Sequence, residues 1–309
     1  MSSNEEFTNT VFQKSWWLEA VAPGKWKYID IEKGGQLFAR FPIVMSKIGP
    51  FRLCTMPEFT QVLGPWIRSL DGKQSSKLSK EKELFTDLID KLPSFSMFKQ
   101  RFHYSVDNWL PFYWKKFQQT TRYTYVLENI SDPDLVWKNM QGNIRREIKK
   151  AQKKITIEHL DDPKVMWDFH CINFDESDDK GGSYDTFKRL HSACLEHNAG
   201  QIFVARNEER KIISAMYVVW DENSAVYLLG GTIPNYKNTG AFSLMMWEAI
   251  KFTSSKTSKF DFEGSMIESI ERFYRAFGGI QKPYFQITKT GFLATAFFGL
   301  KELIQSLKR

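Results

Sequence analysis

Apolar and polar positions follow two different periods along this chain, and the switches between them mark its elements. A helical spacing over 15–22 leads into a strand-like run at 26–32, the turn Lys33-Gly34-Gly35, and a second run at 36–45. The same order recurs later: a helix over 184–198, Gly200, a run at 201–206, the turn Asn207-Glu208-Glu209-Arg210, and a run at 212–220. Helix followed by antiparallel hairpin, met twice, points to an internal duplication. Beyond it the pattern predicts a strand at 225–229, a loop at 230–240, a helix at 241–252, a strand at 259–263, a helix at 266–277 and a strand at 284–288. Hairpins leading into that order predict a mixed sheet with helices on its faces, an α/β (α+β) fold.

Two punctuations divide the chain. The polar run 71–80 reads as an exposed loop ahead of a helix at about 80–91. Near 129–133, Ser131 or Asp132 can cap a helix whose first position suits Pro133. The expected organisation is an N-terminal lobe over 1–128, a C-terminal lobe over 129–290, and an amphipathic helix over 291–309. That last helix carries Phe292, Leu293, Ala296, Phe297, Leu300, Leu303, Ile304 and Leu307 at helical spacing, to dock on the protein's own core or on a membrane surface.

With 42% apolar and 15% aromatic residues among 309, global disorder is excluded. Lys and Arg outnumber Asp and Glu by 43 to 36, a surplus that favours an anionic partner. Cys54, Cys171 and Cys194 form neither a disulfide framework nor a CxxC zinc pair, which fits a reducing compartment. The first residues lack the plan of a signal peptide and no apolar run reaches the roughly 18 residues of a membrane helix, so a cytoplasmic protein is expected. The five histidines show no metal-ligand spacing, so no metal is expected. A GxSxG elbow, a Walker loop and a strand-linked GxGxxG are also missing. The acidic run 175–182 is not spaced like a calcium loop and reads as a solvated loop.

Three segments carry chemistry. The loop from Pro234 to Ala241 follows a strand and opens an apolar helix, whose first N–H groups suit a phosphate; Lys237 adds charge and Gly240 permits close approach. In Phe260-Asp261-Phe262-Glu263, alternation puts the two carboxylates on one face at the end of a strand, where ligands of open α/β sheets bind. Ser265 with Glu268 forms a capping box for the next helix, and Gly278 can close it. Two readings stand for those carboxylates: a role in chemistry, or pairing with Arg272 and Arg275. Third, Ile144, Ile148, Ala151 and Ile155 form a buried stripe, leaving Arg145, Lys149 and Lys153 with Arg146, Lys150 and Lys154 as a broad cationic face.

Together these segments resemble the GNAT N-acetyltransferase superfamily, most closely its two-lobed, Fem-like branch of peptidoglycan-bridge aminoacyltransferases and related bacterial N-acyltransferases. The run from Tyr236 to Phe242 is similar to the donor-binding R/Q-x-x-G-x-G/A loop, with Lys237 at the basic position, Gly240 at the first glycine, and Phe242 in place of the last small residue. Tyr274 to Gly279 resembles the Y-x-x-x-G-F ending, and Ile144 to Ala151 the Arg-Arg…Lys-Lys-Ala segment of the Fem second lobe. The resemblance implies two GNAT-like lobes, each a mixed, largely antiparallel sheet flanked by helices. It implies direct acyl transfer to an amine with no covalent enzyme intermediate.

On that basis Asp261 or Glu263 is the expected base, Tyr274 the acid or a ligand contact, and N–H groups near Gly230-Gly231-Thr232 face the oxyanion. Lys237, Asn238, Thr239, Gly240 and Ala241 are expected to hold the donor, and Arg145, Arg146, Lys149, Lys150 and Arg275 a polyanion. The donor is acyl-CoA or aminoacyl-tRNA, with the general use of the fold leaning to acyl-CoA. The acceptor is an amine on a cell-envelope or polysaccharide precursor, nucleotide- or lipid-linked, met in the cytoplasm or at the inner face of the membrane. The alternative is a non-catalytic GNAT-like protein that binds a polyanion on its basic face.

Overall fold

A computed structural model of the chain describes residues 7–174, 181–264 and 266–298. Two compact units divide it: Met1–Arg122 with Tyr284–Arg309, and Tyr123–Pro283. In the first, α1 (Ser15–Val21) leads into the antiparallel hairpin of β1 (Trp26–Lys33) and β2 (Gln36–Ile48). β3 (Phe51–Thr55) and the short β4 (Trp66–Ile67) both pair antiparallel with β2. α2 (Gln74–Asp90) then crosses to β5 (Met97–Arg101), parallel to β3, and α3 (Leu110–Trp114) and β6 (Gln118–Leu127) follow.

The second unit continues with α4 (Pro133–Asn139), α5 (Gly142–Ala151), β7 (Thr156–Leu160), α6 (Pro163–Cys171) and α7 (Tyr184–Glu196). After these come β8 (Gly200–Arg206), β9 (Ile212–Trp220), β10 (Ala225–Thr232), α8 (Ala241–Thr253), β11 (Phe260–Asp261) and α9 (Glu268–Ala276). β7 to β10 are antiparallel neighbours; β11 joins β10 in parallel and pairs antiparallel with β6. β12 (Ile280–Thr290) enters the first unit at Tyr284 and pairs antiparallel with β5.

The duplicated plan is visible in the pairing. α1-β1-β2-β3-α2-β5 and α7-β8-β9-β10-α8-β11 share one order, antiparallel through three strands, then a helical crossover to a parallel fourth. A parallel pair needs such a crossover, because a tight turn can only reverse the chain. Each unit is a mixed, largely antiparallel sheet with helices against it, as the two-lobed reading expects. α6 and α8 both pack on β9, so that strand is buried almost end to end and reads as a continuous apolar run. α8 is apolar on most of its circumference for the same reason.

Several boundaries differ from expectation. α2 starts at Gln74, inside the run read as a loop, because a polar first turn is tolerated on an exposed helix end. α5 ends at Ala151, so Lys153 and Lys154 lie beyond the helix and only Arg145, Arg146, Lys149 and Lys150 form its cationic face. Asp132 caps α4 as expected, accepting the N–H groups of Asp134 and Leu135. The backbone is helical over 292–298, with Ala294 buried and the Phe297 ring 4.9 Å from Phe51, while Phe292 and Leu293 stay exposed. The acidic segment 175–180, Ser265 with its capping box, and 299–309 lie outside the described residues. No described helix is long and apolar enough to cross a membrane.

Candidate active site

β11 is two residues long, pairing Phe260 with Ala225 and Asp261 with Val226. β10 runs on to Thr232 against β9, and beyond Val226 no strand pairs with its other edge among the described residues. Strand pairing along that edge therefore ends just past Asp261, at the end of a strand where ligands of open α/β sheets bind. What ends β11 is local. The Glu263 N–H donates to Asp261 Oδ1 at 2.9 Å, and Glu263 itself takes φ +60°, turning the chain out of the sheet. A non-glycine residue in that region stores strain of order 1 kcal/mol, a feature that gathers at functional sites.

Phe260 and Phe262 point into the core and are fully buried, while Asp261 and Glu263 are half-buried, as alternation predicts. Thr124 on β6 donates its hydroxyl to Asp261 Oδ1. Burial nevertheless pushes the Asp261 carboxyl up from 3.8 to about 6, against the lowering effect of the two hydrogen bonds. Tyr274 on α9 is buried with its ring stacked on Phe262 at 5.2 Å. Its phenol is raised well above the usual range, by burial first and then by Tyr227, Glu263 and Asp261. Tyr227 on β10 is raised likewise, by burial and then by Glu263. Both phenols stay protonated and can donate.

The structure thus brings Asp261, Glu263 and Tyr274 together and adds Tyr227 and Thr124, which sequence reasoning missed. Tyr227 stands in an apolar strand run whose only hint is one phenol. Its ring meets Phe242 edge-on at 5.8 Å, and its hydroxyl lies 3.1 Å from where a Cβ on Gly230 would stand. Gly230 and Gly231 serve packing. A Cβ on Gly231 would strike the Phe169 carbonyl of α6, and the Asn173 amide donates to the Gly230 carbonyl at 2.6 Å.

Residues 234–239 form a short 3-10 turn with Lys237 and Asn238 exposed. The Thr239 hydroxyl donates to the Tyr236 carbonyl at 2.7 Å and accepts the Ala241 N–H at 3.4 Å. Gly240 is buried at φ +78°; a Cβ there would lie 2.8 Å from Glu147 Cγ and 3.2 Å from Ala151 Cβ. The close approach that Gly240 permits is that of α5. Ser243, on the first turn of α8, donates to Glu147 Oε1 at 3.0 Å.

Of the expected polyanion contacts, Arg146, Lys149 and Lys150 are exposed on α5 and Arg145 half-exposed. Arg275 is tied to Glu271 at 2.9 Å, and Arg272 to Glu268, so both α9 arginines have partners on their own helix. α9 begins at Glu268 with Ile267 in the N-cap position. It closes as expected: the Gly278 N–H donates to the Arg275 carbonyl and the Gly279 N–H to that of Tyr274, with Gly278 at φ +90°. Glu271 also accepts the Tyr125 hydroxyl at 2.8 Å, fixing α9 to β6. Among the described residues, no group of three His, Cys, Asp or Glu side chains is placed to hold a metal.

Residues 138–265 match the acetyltransferase (GNAT) domain family. No curated protein sequence matches the chain. Among solved structures it is similar to FemX, at 12% identity over 89% of this chain and 91% of that one, with a TM-score of 0.66. It is also similar to L-PGS from Bacillus licheniformis, at 10% identity over 85% and 84% of the two chains, TM-score 0.51. A tandem GNAT protein of the clavulanic acid biosynthesis pathway is similar at 6% identity over 89% and 93%, TM-score 0.50. At such identities the likeness is one of fold.

Proposed function

We propose, from the match of residues 138–265 to the GNAT domain family and the likeness of the chain's fold to that of FemX, an N-acyltransferase that moves an acyl group from an activated donor directly to an amine. The observation that carries this proposal is the grouping of Asp261, Glu263, Tyr227 and Tyr274 where the pairing of β11 with β10 ends. An ammonium must lose a proton before it attacks, and a carboxyl near 6 is ionised at neutral pH yet more basic than a solvated one. The amine nitrogen then attacks the acyl carbonyl carbon, its proton passing to Asp261 or Glu263 directly or through water. The tetrahedral intermediate collapses by breaking the bond to the donor's leaving group, which takes a proton from Tyr274 or from water.

The acceptor in this proposal is an amine on an anionic cell-envelope or polysaccharide precursor, nucleotide- or lipid-linked. Support for its charge comes from the exposed Arg146, Lys149 and Lys150. The test is transfer from acetyl-CoA or charged tRNA to a panel of amino sugars and their nucleotide-linked forms. Asp261→Asn or Glu263→Gln should lower turnover by roughly 10²–10⁴-fold, with the loss shrinking at high pH where the amine is already neutral. Wild-type rates in both variants would remove the carboxylates from the mechanism. No transfer to any acceptor would favour a non-catalytic protein that binds a polyanion through α5.

A further inference from the structure

Charge is unevenly placed in the first unit. Its stretches 41–57, 91–106, 108–122 and 284–298 hold no Asp or Glu, while Lys47, Arg52, Lys115, Lys116 and Lys289 are among their cations. The fold gathers these stretches: β2 turns into β3, β3 lies parallel to β5, and β12 pairs with β5. At the tip of the β2–β3 hairpin Lys47 stands directly opposite Arg52, and both are exposed. Like charges paired across strands destabilise a hairpin, a cost that an anion would relieve. Lys289 donates to the Lys115 carbonyl at 2.7 Å, which ties the end of α3 to the same end of the sheet. Lys115 is paired with Asp90, whereas Lys47, Arg52 and Lys116 form no ion pair among the described residues.

An apolar surface lies beside these cations. Phe292 is 87% and Leu293 74% exposed, more than any other large apolar residue described. The helical segment 292–298 sits on the hairpin: the Phe51 ring meets Phe297 at 4.9 Å and Phe298 at 5.8 Å, and Ala294 is buried. Its outward side is Phe292, Leu293 and Ala296, and the hairpin beneath it adds Ile48 and Pro50, also exposed. Scattered apolar side chains need no explanation, but a group of them rimmed by charge marks an interaction surface.

We propose that this end of the first unit docks on an anionic membrane surface. Phe292, Leu293 and Ile48 enter between the headgroups while Lys47, Arg52 and Lys116 lie among the lipid phosphates. Long basic side chains suit that boundary, with apolar stems below and charged ends in water. A nucleic acid would answer the cations and leave Phe292 and Leu293 in water. A second copy related by a two-fold axis would bury the apolar side chains but set the two Lys47–Arg52 pairs against each other. A lipid surface answers both features.

The experiment is sedimentation of the full chain with vesicles of phosphatidylcholine, with and without phosphatidylglycerol, at low and high salt. The wild type should bind the phosphatidylglycerol vesicles at least about tenfold more tightly than the neutral ones, and high salt should erase most of that difference. Phe292→Ser with Leu293→Ser should weaken binding to the anionic vesicles at least about tenfold, through lost apolar burial. Lys47→Gln with Arg52→Gln should weaken it by a similar factor and leave little preference for anionic lipid. All four side chains are exposed, so neither double variant should melt below the wild type. Equal binding to both kinds of vesicle, binding to neither, or unchanged binding in either double variant would overturn the proposal. So would a dimer in sedimentation velocity that Phe292→Ser with Leu293→Ser dissolves, which would give this surface to a second copy. Vesicle binding is read without donor or acceptor, so a failure of the proposed acyl transfer is seen separately.

Discussion

Replacing Gly240 by alanine puts a methyl group into a seam between two helices at a backbone angle that alanine rarely adopts. Two penalties add. At φ +78° an L residue carries roughly 1–2 kcal/mol of steric cost that glycine avoids, partly offset by a less flexible unfolded chain. The new Cβ would also stand 2.8 Å from Glu147 Cγ and 3.2 Å from both Ala151 Cβ and the Glu147 carbonyl. The first neighbour can swing aside, but the others are fixed to the α5 backbone, so α5 must shift by a few tenths of an ångström. Overpacking of that kind costs about 1–3 kcal/mol. The expected loss is about 2–4 kcal/mol, read as a lower urea midpoint at unchanged slope. Adding Glu147→Ala should return part of it, so a double-mutant cycle should show coupling of about 1 kcal/mol or more. A loss under about 1 kcal/mol, or strict additivity with Glu147→Ala, would refute the view that Gly240 exists to admit α5.

Two further outcomes concern the site's surroundings. Because burial raises the Asp261 carboxyl from 3.8 to about 6, the folded chain holds that proton more tightly than the unfolded one; the stability it contributes is complete below pH 4 and is lost as the pH climbs through 6. Asp261→Asn lacks that loss and should unfold later than the wild type by about 1–3 kcal/mol at pH 8, with the gap closing towards pH 4; a gap independent of pH would contradict the raised carboxyl. Gly231→Ala drives a methyl into the Phe169 carbonyl of α6, a backbone group that cannot rotate away, and should cost more than 3 kcal/mol or abolish soluble expression. A normal melting curve for that variant would mean that α6 does not seat on β10.

What the sequence made legible was local. Both hairpins, the Asp132 cap and the Gly278 closure follow from turn chemistry and periodicity within a few residues. The alternation of Phe260 and Phe262 with Asp261 and Glu263 survives although β11 stops at Asp261, because a side chain's face is fixed before the strand ends. Long-range pairings were the hidden part. Thr124 reaches Asp261 across 137 positions, and Ser243 meets Glu147 across 96, so no window of sequence contains either contact. Gly240 shows the same limit: that it permits a close approach was readable, but which neighbour approaches depended on where α5 packs, and its positive φ appears only in the structure.

The first unit is discontinuous along the chain, and this bears on how the protein is made. Its strands β1 to β5 leave the ribosome early, yet the strand that covers the β5 edge, with Gln286 opposite Arg101 and Thr290 opposite Met97, is translated after the whole second unit. The usual sequence of N-terminal domain first is therefore inverted: the inner segment can complete its own contacts while the outer one waits for its closing strand. During that interval the backbone of 97–101 presents an uncovered edge, the kind of surface on which chains associate. Substitutions in 284–290 should accordingly lower the yield of native protein made in cells more than they alter the finished molecule, and slower translation of the second unit should lengthen the exposure.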